Sequence, residues 1–307
     1  MNNITYKLSI IFSIIFFISS SGCEKKSDNE SDITHFKVNS IADIDALAAA
    51  LKNEILNSQT ELSVTGTSYY VSNNGNDSNS GRSPSQAWAT LSKVSETEYS
   101  KGDAVFFERG GTWRGHLIAK GGVRYSAYGE GTKPKLYGSR QNYSVKGKWL
   151  ETEIPNVYVY DEALEKDAGV LVFNEGEAHS IKKVIGIDGF SGAASELKND
   201  LEMYHDVNDK RVCLFSDSGN PADRFSSIEF CLKDHIIRTK GNDILIDNLC
   251  IKYGGAHGIG SGTISGLKVT NCEFGWIGGS IQGGTTRYGN AIEIWGSCRD
   301  YYVDHCY

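Results

Sequence analysis

Three successive stretches decide the fold: DILIDNLCIKYGGAHGIGSG (243–262), ISGLKVTNCEFGWIGGSIQGG (264–284) and GNAIEIWGSCRDYYVDHCY (289–307). When they are aligned, Asn248 matches Asn271 after 23 residues, and Asn271 matches His305 after a further 34 residues. Apolar and polar residues alternate around this position in each copy. A period near 23 residues with several short strands per repeat is typical of a parallel β-solenoid, in which one face of each strand points into the coil.

The alternation also assigns residues to the interior of each coil. The two complete copies contribute Ile244, Ile246, Leu249 and Ile251, then Leu267, Val269, Cys272 and Phe274. At the turn we expect Asn271 to be buried beside Asn248, in a ladder whose side chains bond along the coil axis. The longer third period is accommodated by a loop, GGSIQGGTTRY (278–288).

The repeats resemble the coils of the right-handed parallel β-helix of the pectate-lyase-like superfamily. Three earlier stretches strengthen the resemblance: YYVSNNGNDSNSGRSPSQAWATLSKV (69–94) resembles the opening segment of secreted bacterial β-helix proteins, and GDAVFFERGGTWRG (102–115) and YSAYGEGTKPKLYGS (125–139) resemble the strands that follow it. The resemblance implies an all-β, right-handed parallel β-helix with a short N-terminal helix and capping segment. It does not imply one reaction, because the fold hosts lyases, hydrolases, epimerases and adhesins.

The start of the chain resembles the signal of a bacterial lipoprotein. Lys7 precedes an apolar run from Leu8 to Ile18, and Ser-Gly precedes Cys23, although Ser20 replaces the usual leucine of the lipobox. We therefore expect a signal peptide over 1–22 and lipidation of Cys23, which anchors a protein to a membrane without spanning it. The predicted location is the bacterial outer membrane or cell surface, and otherwise the periplasm or the medium.

After the signal we expect a polar tether and a helix over 23–60, and a β-helix domain over 61–307. Ser40 and Asp43 form a capping-box pattern at the start of that helix. The middle of the chain, about 140–235, is less regular and is interpreted as an insertion or as irregular early coils. Because the chain stops within a strand pattern, we expect the β-helix to be truncated at its C-terminal end.

Charge and cysteine content narrow the function. Removal of residues 1–22 leaves 30 cations against 38 acids, a net charge of −8, which gives no support for nucleic-acid binding. The six cysteines other than Cys23 form no CxxC pair and fall mostly in strand patterns, so buried thiols are expected rather than a zinc site. No cofactor is predicted; calcium is the one ion considered, in a loop over 72–81 that contains a single carboxylate, Asp77.

Candidate site residues follow from the resemblance, since substrates of the family lie along the outward face of the first strand of each coil. Here these strands are HGIGS (257–261) and NAIEIW (290–295). Alternation directs Ile259, Ile292 and Ile294 inward and Glu293 outward. Glu293 and His257 are therefore the candidate catalytic residues, and the candidate substrate ligands are Arg287, Tyr288, Asn290 and Trp276.

Each candidate also has a structural interpretation. Glu293 could be a solvated strand residue, His257 could fill a turn, and Arg287 could pair with a structural acid. Asp247 and Asp304 match in register with Thr270 between them, so they are not expected to form a close carboxylate pair.

The predicted function is that of a surface-anchored, carbohydrate-active β-helix protein that cleaves a polysaccharide or oligosaccharide. A glycoside hydrolase is favoured over a polysaccharide lyase, because the chain is acidic and lacks a dense basic stripe for uronates. Two alternatives remain open at this stage: a non-catalytic glycan-binding or adhesive β-helix, and an inactive truncated remnant.

Overall fold

The computed structural model describes residues 40–59, 62–206 and 208–307. The predicted signal peptide, the lipidation site at Cys23 and most of the tether lie outside these residues. The chain divides into two compact units, one ending at Leu51 and one covering Lys52–Tyr307. No helix within the described residues is both long enough and apolar enough to cross a membrane.

Helix α1 (Ile41–Asn57) begins as the capping-box pattern predicts. The backbone N–H of Ser40 donates to Asp43 Oδ2 at 2.9 Å, and the N–H of Asp43 donates to Ser40 Oγ at 3.2 Å. None of its residues is buried. Two further helices are short: α2 (Leu91–Glu96) and α3 (Pro221–Arg224).

The rest of the described chain is mostly β-structure. The strands, in chain order, are β1 Ser68–Val71, β2 Ala104–Glu108, β3 Thr112–Arg114, β4 Leu117–Lys120, β5 Arg124–Tyr128, β6 Lys135–Tyr137, β7 Trp149–Glu151, β8 Val157–Tyr160, β9 Ala168–Phe173, β10 Ala178–His179, β11 Ile181–Lys182, β12 Glu202–His205, β13 Val212–Phe215, β14 Ile228–Leu232, β15 Ile237–Lys240, β16 Leu245–Asp247, β17 Cys250–Gly254, β18 Ile259–Ser261, β19 Ile264–Ser265, β20 Lys268–Thr270, β21 Glu273–Ile277, β22 Ile281–Gly283, β23 Thr286–Arg287, β24 Ile292–Ile294, β25 Cys298–Arg299 and β26 Tyr302–Asp304.

The parallel strands fall into three sheets that the chain visits in a fixed order. Strands β4, β15, β18 and β24 form the first sheet; β5, β16, β20 and β26 belong to the second; β6, β17 and β21 belong to the third. In the second sheet Leu245 pairs with Lys268, which pairs with Tyr302, so the predicted alignment of the three stretches is confirmed. None of these sheets closes into a barrel within the described residues.

A column of left-handed residues turns the chain between the second and third sheets. Asn248, Asn271 and His305 have φ of 59°, 52° and 46°. Asparagine adopts this conformation more readily than most residues, because its short polar side chain can bond locally. The aligned position that defines the sequence repeat therefore has the same left-handed backbone conformation in each coil.

The predicted asparagine ladder needs a correction. Asn248 is buried, but Asn271 is only half-buried, and its side-chain amide donates to Asp247 Oδ1 at 2.9 Å. Asp247 also accepts from Ser126 and Thr270, both at 2.7 Å. A fully buried carboxylate needs several hydrogen-bond donors, and Asp247 obtains them from side chains in the coils on either side of it. Its register with Thr270 and Asp304 is as predicted.

The irregular middle of the chain is an insertion. Strands β4, β5 and β6 pair directly with β15, β16 and β17, although about a hundred residues separate them in sequence. The inserted residues form a separate sheet, in the order β11-β12-β13-β8-β7, in which β11 and β12 pair in parallel and the other neighbours pair antiparallel; they also add β9 and β14 to the third parallel sheet. They have an apolar core of their own around Trp149, Tyr160 and Phe230. The second interpretation, irregular early coils, is not needed.

The interior of the parallel stack is apolar, as the alternation predicts. Ile246, Leu249 and Val269 are fully buried, and Phe274 packs against the cluster from a half-buried position. Within the described residues the six cysteines are free thiols, four of them buried. The predicted buried thiols are thus confirmed for Cys213, Cys231, Cys250 and Cys272, while Cys298 and Cys306 are only half-buried.

Candidate functional site

The first parallel sheet determines which side chains point away from the interior. Leu117, Ile237, Ile259 and Ile292 occupy one register position and pack inward. The next position, which alternation turns outward, holds Ile118, Arg238, Gly260 and Glu293. Glu293 therefore lies on the outward face as predicted, beside a glycine on the neighbouring strand.

Two of the other predicted residues hold Glu293 in a hydrogen-bonded chain. The side-chain amide of Asn290 donates to Glu293 Oε2 at 2.5 Å, and the backbone N–H of Asn290 donates to His257 Nδ1 at 3.2 Å. Because Nδ1 accepts, the proton of the neutral imidazole lies on Nε2. His257, two residues before β18, thus presents an N–H donor, and Glu293, on the adjacent strand β24, presents an acceptor.

Burial keeps this imidazole neutral. His257 is only 6% exposed, and burial lowers its pKa, with the Glu293 carboxylate acting in the opposite direction. Tyr288 packs edge-on against the His257 ring, with the ring centroids 5.1 Å apart. Glu293, His257, Asn290 and Tyr288 are therefore brought together as predicted.

A second histidine, not predicted, extends the group into a row of rings. His235 stacks on His257 with centroids 5.3 Å apart and planes 11° apart, and on its other side on Trp295 at 5.6 Å and 24°. Gly260 makes room for this row, since a Cβ there would lie 2.6 Å from Cγ of His235. The indole of Trp295 is 57% exposed at the end of the row.

The sequence does contain a signal for His235. It lies two residues before Ile237, as His257 lies two before Ile259 and Asn290 two before Ile292, and these three isoleucines share one register position. The signal was missed because the insertion ends immediately before His235 and hides the start of that coil. Trp295 had no comparable signal, because an exposed aromatic residue at the end of a strand is common.

His235 is chemically unusual. Its Nδ1 is buried and, within residues 40–59, 62–206 and 208–307, has no hydrogen-bond partner. Burial, followed by the charges of Arg238 and His257, lowers its pKa to about 4. Buried polar atoms without partners are rare in proteins and often mark functional positions. The preceding Asp234 forms an ion pair with Lys166.

Trp276 and Arg287 do not join this group. Trp276 lies against the insertion, with its ring 5.5 Å from that of His179 and close to Gly176. Its φ of 55° turns the chain at the end of β21. Arg287 is exposed on the β22–β23 hairpin, and in the described residues neither side chain makes a hydrogen bond or ring contact with Glu293 or His257. The predicted single cluster is therefore divided, because Trp276 packs against the insertion and Arg287 lies on the exposed hairpin.

The loop considered for calcium uses its carboxylate internally. Asp77 accepts the backbone N–H groups of Ala89 and Thr90 at 2.8 and 3.1 Å, and the Thr90 hydroxyl at 2.6 Å. Among the described residues no group of three or more histidine, cysteine or acidic side chains is arranged to hold a metal ion. The prediction that the protein needs no cofactor is not tested by this loop.

No family model matches the chain, and no curated protein matches it. Among solved structures it is similar to a GH136 lacto-N-biosidase from Eubacterium ramulus (15% identity, 78% of this chain and 34% of that one, TM-score 0.41). It is also similar to XylC in complex with xylose (14%, 68% and 40%, 0.48) and to a glycoside hydrolase (11%, 67% and 65%, 0.46). The chain spans about a third of the length of the lacto-N-biosidase. At these TM-scores the likenesses assign no function to it.

Proposed function

We propose that the chain is a right-handed parallel β-helix protein of the pectate-lyase-like type that binds a saccharide on the outward face of its first sheet and cleaves a glycosidic bond. The observation that carries this proposal is the row formed by His257, His235 and Trp295, with the Glu293 carboxylate held next to it by Asn290. The fixed order in which the chain visits three parallel sheets supports the solenoid.

The roles follow from the chemistry of each group. The exposed Trp295 ring offers an apolar face for a pyranose, since aromatic residues combine large contact area with defined geometry. The Nε2–H of His257 donates to a sugar oxygen. Glu293 is the general acid or base, because a carboxylate within hydrogen-bond reach of the glycosidic oxygen can transfer a proton to it or from an attacking water.

Hydrolysis is proposed in preference to β-elimination. Of the four aligned outward positions in the first sheet, the one that Asn290 links to His257 holds a carboxylate, whereas the basic residue, Arg238, lies two strands away. Glycosidases use a second carboxyl group about 5–9 Å from the first. Asp234 is the candidate, because it directly precedes His235 in the chain and its charge, like that of Glu293, acts on the His235 imidazole.

One observation favours a non-catalytic, glycan-binding function as the second candidate. In the described first sheet Glu293 is the single carboxylate among the four aligned outward positions, and Asp234 is already paired with Lys166. A surface with one free carboxylate and three stacked rings suits binding as well as cleavage.

One experiment separates these candidates. Wild type, Glu293→Gln and the exposed control Glu130→Gln are incubated with a panel of neutral and acidic oligosaccharides; binding is measured by calorimetry and products by mass spectrometry. If the protein is a hydrolase, Glu293→Gln should keep saccharide binding but lose cleavage. The products of the wild-type protein should then be heavier in total than the substrate by the mass of one water. Binding without cleavage in all three proteins supports the binder, an unsaturated product supports a lyase, and no binding by wild type contradicts the proposal.

We also propose export and lipid anchoring at Cys23, at the outer membrane or cell surface. This rests on the residues that precede and include Cys23. The proposal includes no cofactor.

A further inference from the structure

A second cleft lies between the insertion and the hairpin β22–β23. It encloses about 360 Å³, within the range of clefts that hold small ligands. Its lining comes from the segment 179–188 and from Arg287. None of the residues proposed above for saccharide cleavage lines it.

The base of this cleft is a buried ion pair that also fixes the hairpin. The Lys182 ammonium donates to both oxygens of Asp167, at 2.5 and 2.6 Å, and to the carbonyl of Ala168 at 2.7 Å. Asp167 in turn accepts the backbone N–H of Ile281 at 2.7 Å, and its carbonyl accepts from the Ser280 hydroxyl at 2.9 Å. The hairpin that carries Arg287 is thereby tied to the insertion, so the cleft is held open by specific contacts.

Most charges around the cleft are already compensated. Lys182 is neutralised by Asp167, and the Lys183 ammonium lies 3.6 Å from Glu202. Arg287 differs, because in the described residues no carboxylate lies within 4 Å of its guanidinium. Asp188 is also on the lining and is exposed, so it opposes an anion there.

Two further cations, Arg287 and Lys233, act on the Lys182 ammonium. Burial lowers the pKa of Lys182, Asp167 acts in the opposite direction, and the two cations lower it further. The Lys233 ammonium lies 5.5 Å from the centroid of the Tyr288 ring, and Tyr288 packs against His257. Lys233 thus lies over the same Tyr288 ring that packs against His257.

We propose that this cleft binds the carboxylate or sulfate group of an acidic saccharide, with Arg287 as its direct ligand. A guanidinium fork matches the geometry of such oxyanions and binds them bidentately. The cleft would place the charged unit beside Tyr288, so that a neighbouring sugar reaches the rings. This deepens the proposed function and rests on it for the idea of a saccharide, but the binding step itself requires no cleavage.

The test compares three probes of equal length: an oligosaccharide ending in a glucuronate, its carboxyl-reduced neutral counterpart, and a sulfated counterpart. Dissociation constants are measured by calorimetry in the Glu293→Gln background, so that no probe is consumed. We expect Arg287→Gln to weaken binding of the acidic probes by about tenfold, the size of one charge-assisted contact, and to leave the neutral probe unchanged. Asp188→Asn should tighten acidic binding, and the exposed control Arg82→Gln should change nothing.

The outcomes separate this inference from the proposed function. The inference is overturned if wild type binds acidic and neutral probes equally, or if Arg287→Gln and Arg82→Gln behave alike. A preference for glucuronate or for sulfate identifies the source of the anion, and either supports the inference. If no saccharide is cleaved but Arg287→Gln still loses binding of the acidic probes selectively, the proposed cleavage is contradicted and the proposed anion-binding cleft is supported.

Discussion

Replacement of Gly260 by alanine should break the row of rings without straining the backbone. Gly260 does not have a positive φ, so alanine is tolerated by the chain itself. Its methyl group would lie 2.6 Å from Cγ and Nδ1 of His235 and 2.9 Å from Cδ2. Since non-bonded atoms prefer separations of about 3.5–4.0 Å, the imidazole must retreat by roughly 1 Å and lose its stacking on His257 or Trp295.

The magnitude follows from overpacking. Forcing an extra methyl group into a packed position costs about 1–3 kcal/mol, and we expect the lower half of that range because a ring can tilt. Gly262→Ala is the matched control, since its methyl group would meet only Trp295, at 3.5 Å, an ordinary contact. This control also lowers the conformational entropy of the unfolded chain to the same extent, because it too replaces a glycine by alanine.

Urea denaturation followed by tryptophan fluorescence measures the unfolding free energy, and calorimetry measures saccharide affinity. His235→Ala should relieve the clash, so the double variant with Gly260→Ala should be more stable than the sum of the two single changes predicts. If Gly260→Ala is as stable and binds as tightly as Gly262→Ala, or if the two changes add independently, the described row of rings is not what the folded protein contains.

Three further predictions concern other parts of the molecule. Because the folded-state pKa of His235 is about 4, below the ordinary value, the unfolded chain binds more protons between pH 6.5 and 4; urea midpoints should therefore fall as pH drops through this window, and less steeply in His235→Asn. Asn271→Leu should cost about 1–3 kcal/mol by removing a donor from the buried carboxylate of Asp247, and Asn271→Asp should not rescue it; a neutral result in denaturation would contradict the buried network. Cys23→Ala should move the protein from the membrane fraction to the soluble fraction, and continued membrane association with no lipid on Cys23 by mass spectrometry would disprove the anchor.

The repeat could be predicted because its determinants are local. Asn248 and Asn271 occupy left-handed turns, and the alternating residues beside them fill the interior, so the stacking of whole strands follows from short-range pattern alone. The same pattern correctly predicted that Glu293 points outward and lies near His257.

The parts of the site that the sequence did not predict depend on strand pairings between residues far apart in sequence. The positions of Trp276 and Arg287 are determined by an insertion whose strands pair antiparallel across tens of residues, as Phe173 does with Ile228. No periodicity within the repeats reports on such contacts. The burial of Asp247 was missed for a related reason, because two of its partners, Ser126 and Asn271, belong to different turns of the stack.

The strands of the first sheet return to the same register however many residues separate them. Four residues connect β17 to β18, a loop that contains a hairpin precedes β24, and a whole separate sheet lies between β6 and β15 in the chain. The parallel strands thus keep one register, while the connections that lead from the third sheet to the first differ widely in length. For an engineer this makes the exposed tip of the β22–β23 hairpin, residues 282–286, a grafting point, where randomised segments of different lengths could be displayed as a library of new recognition surfaces without redesigning the frame that carries them.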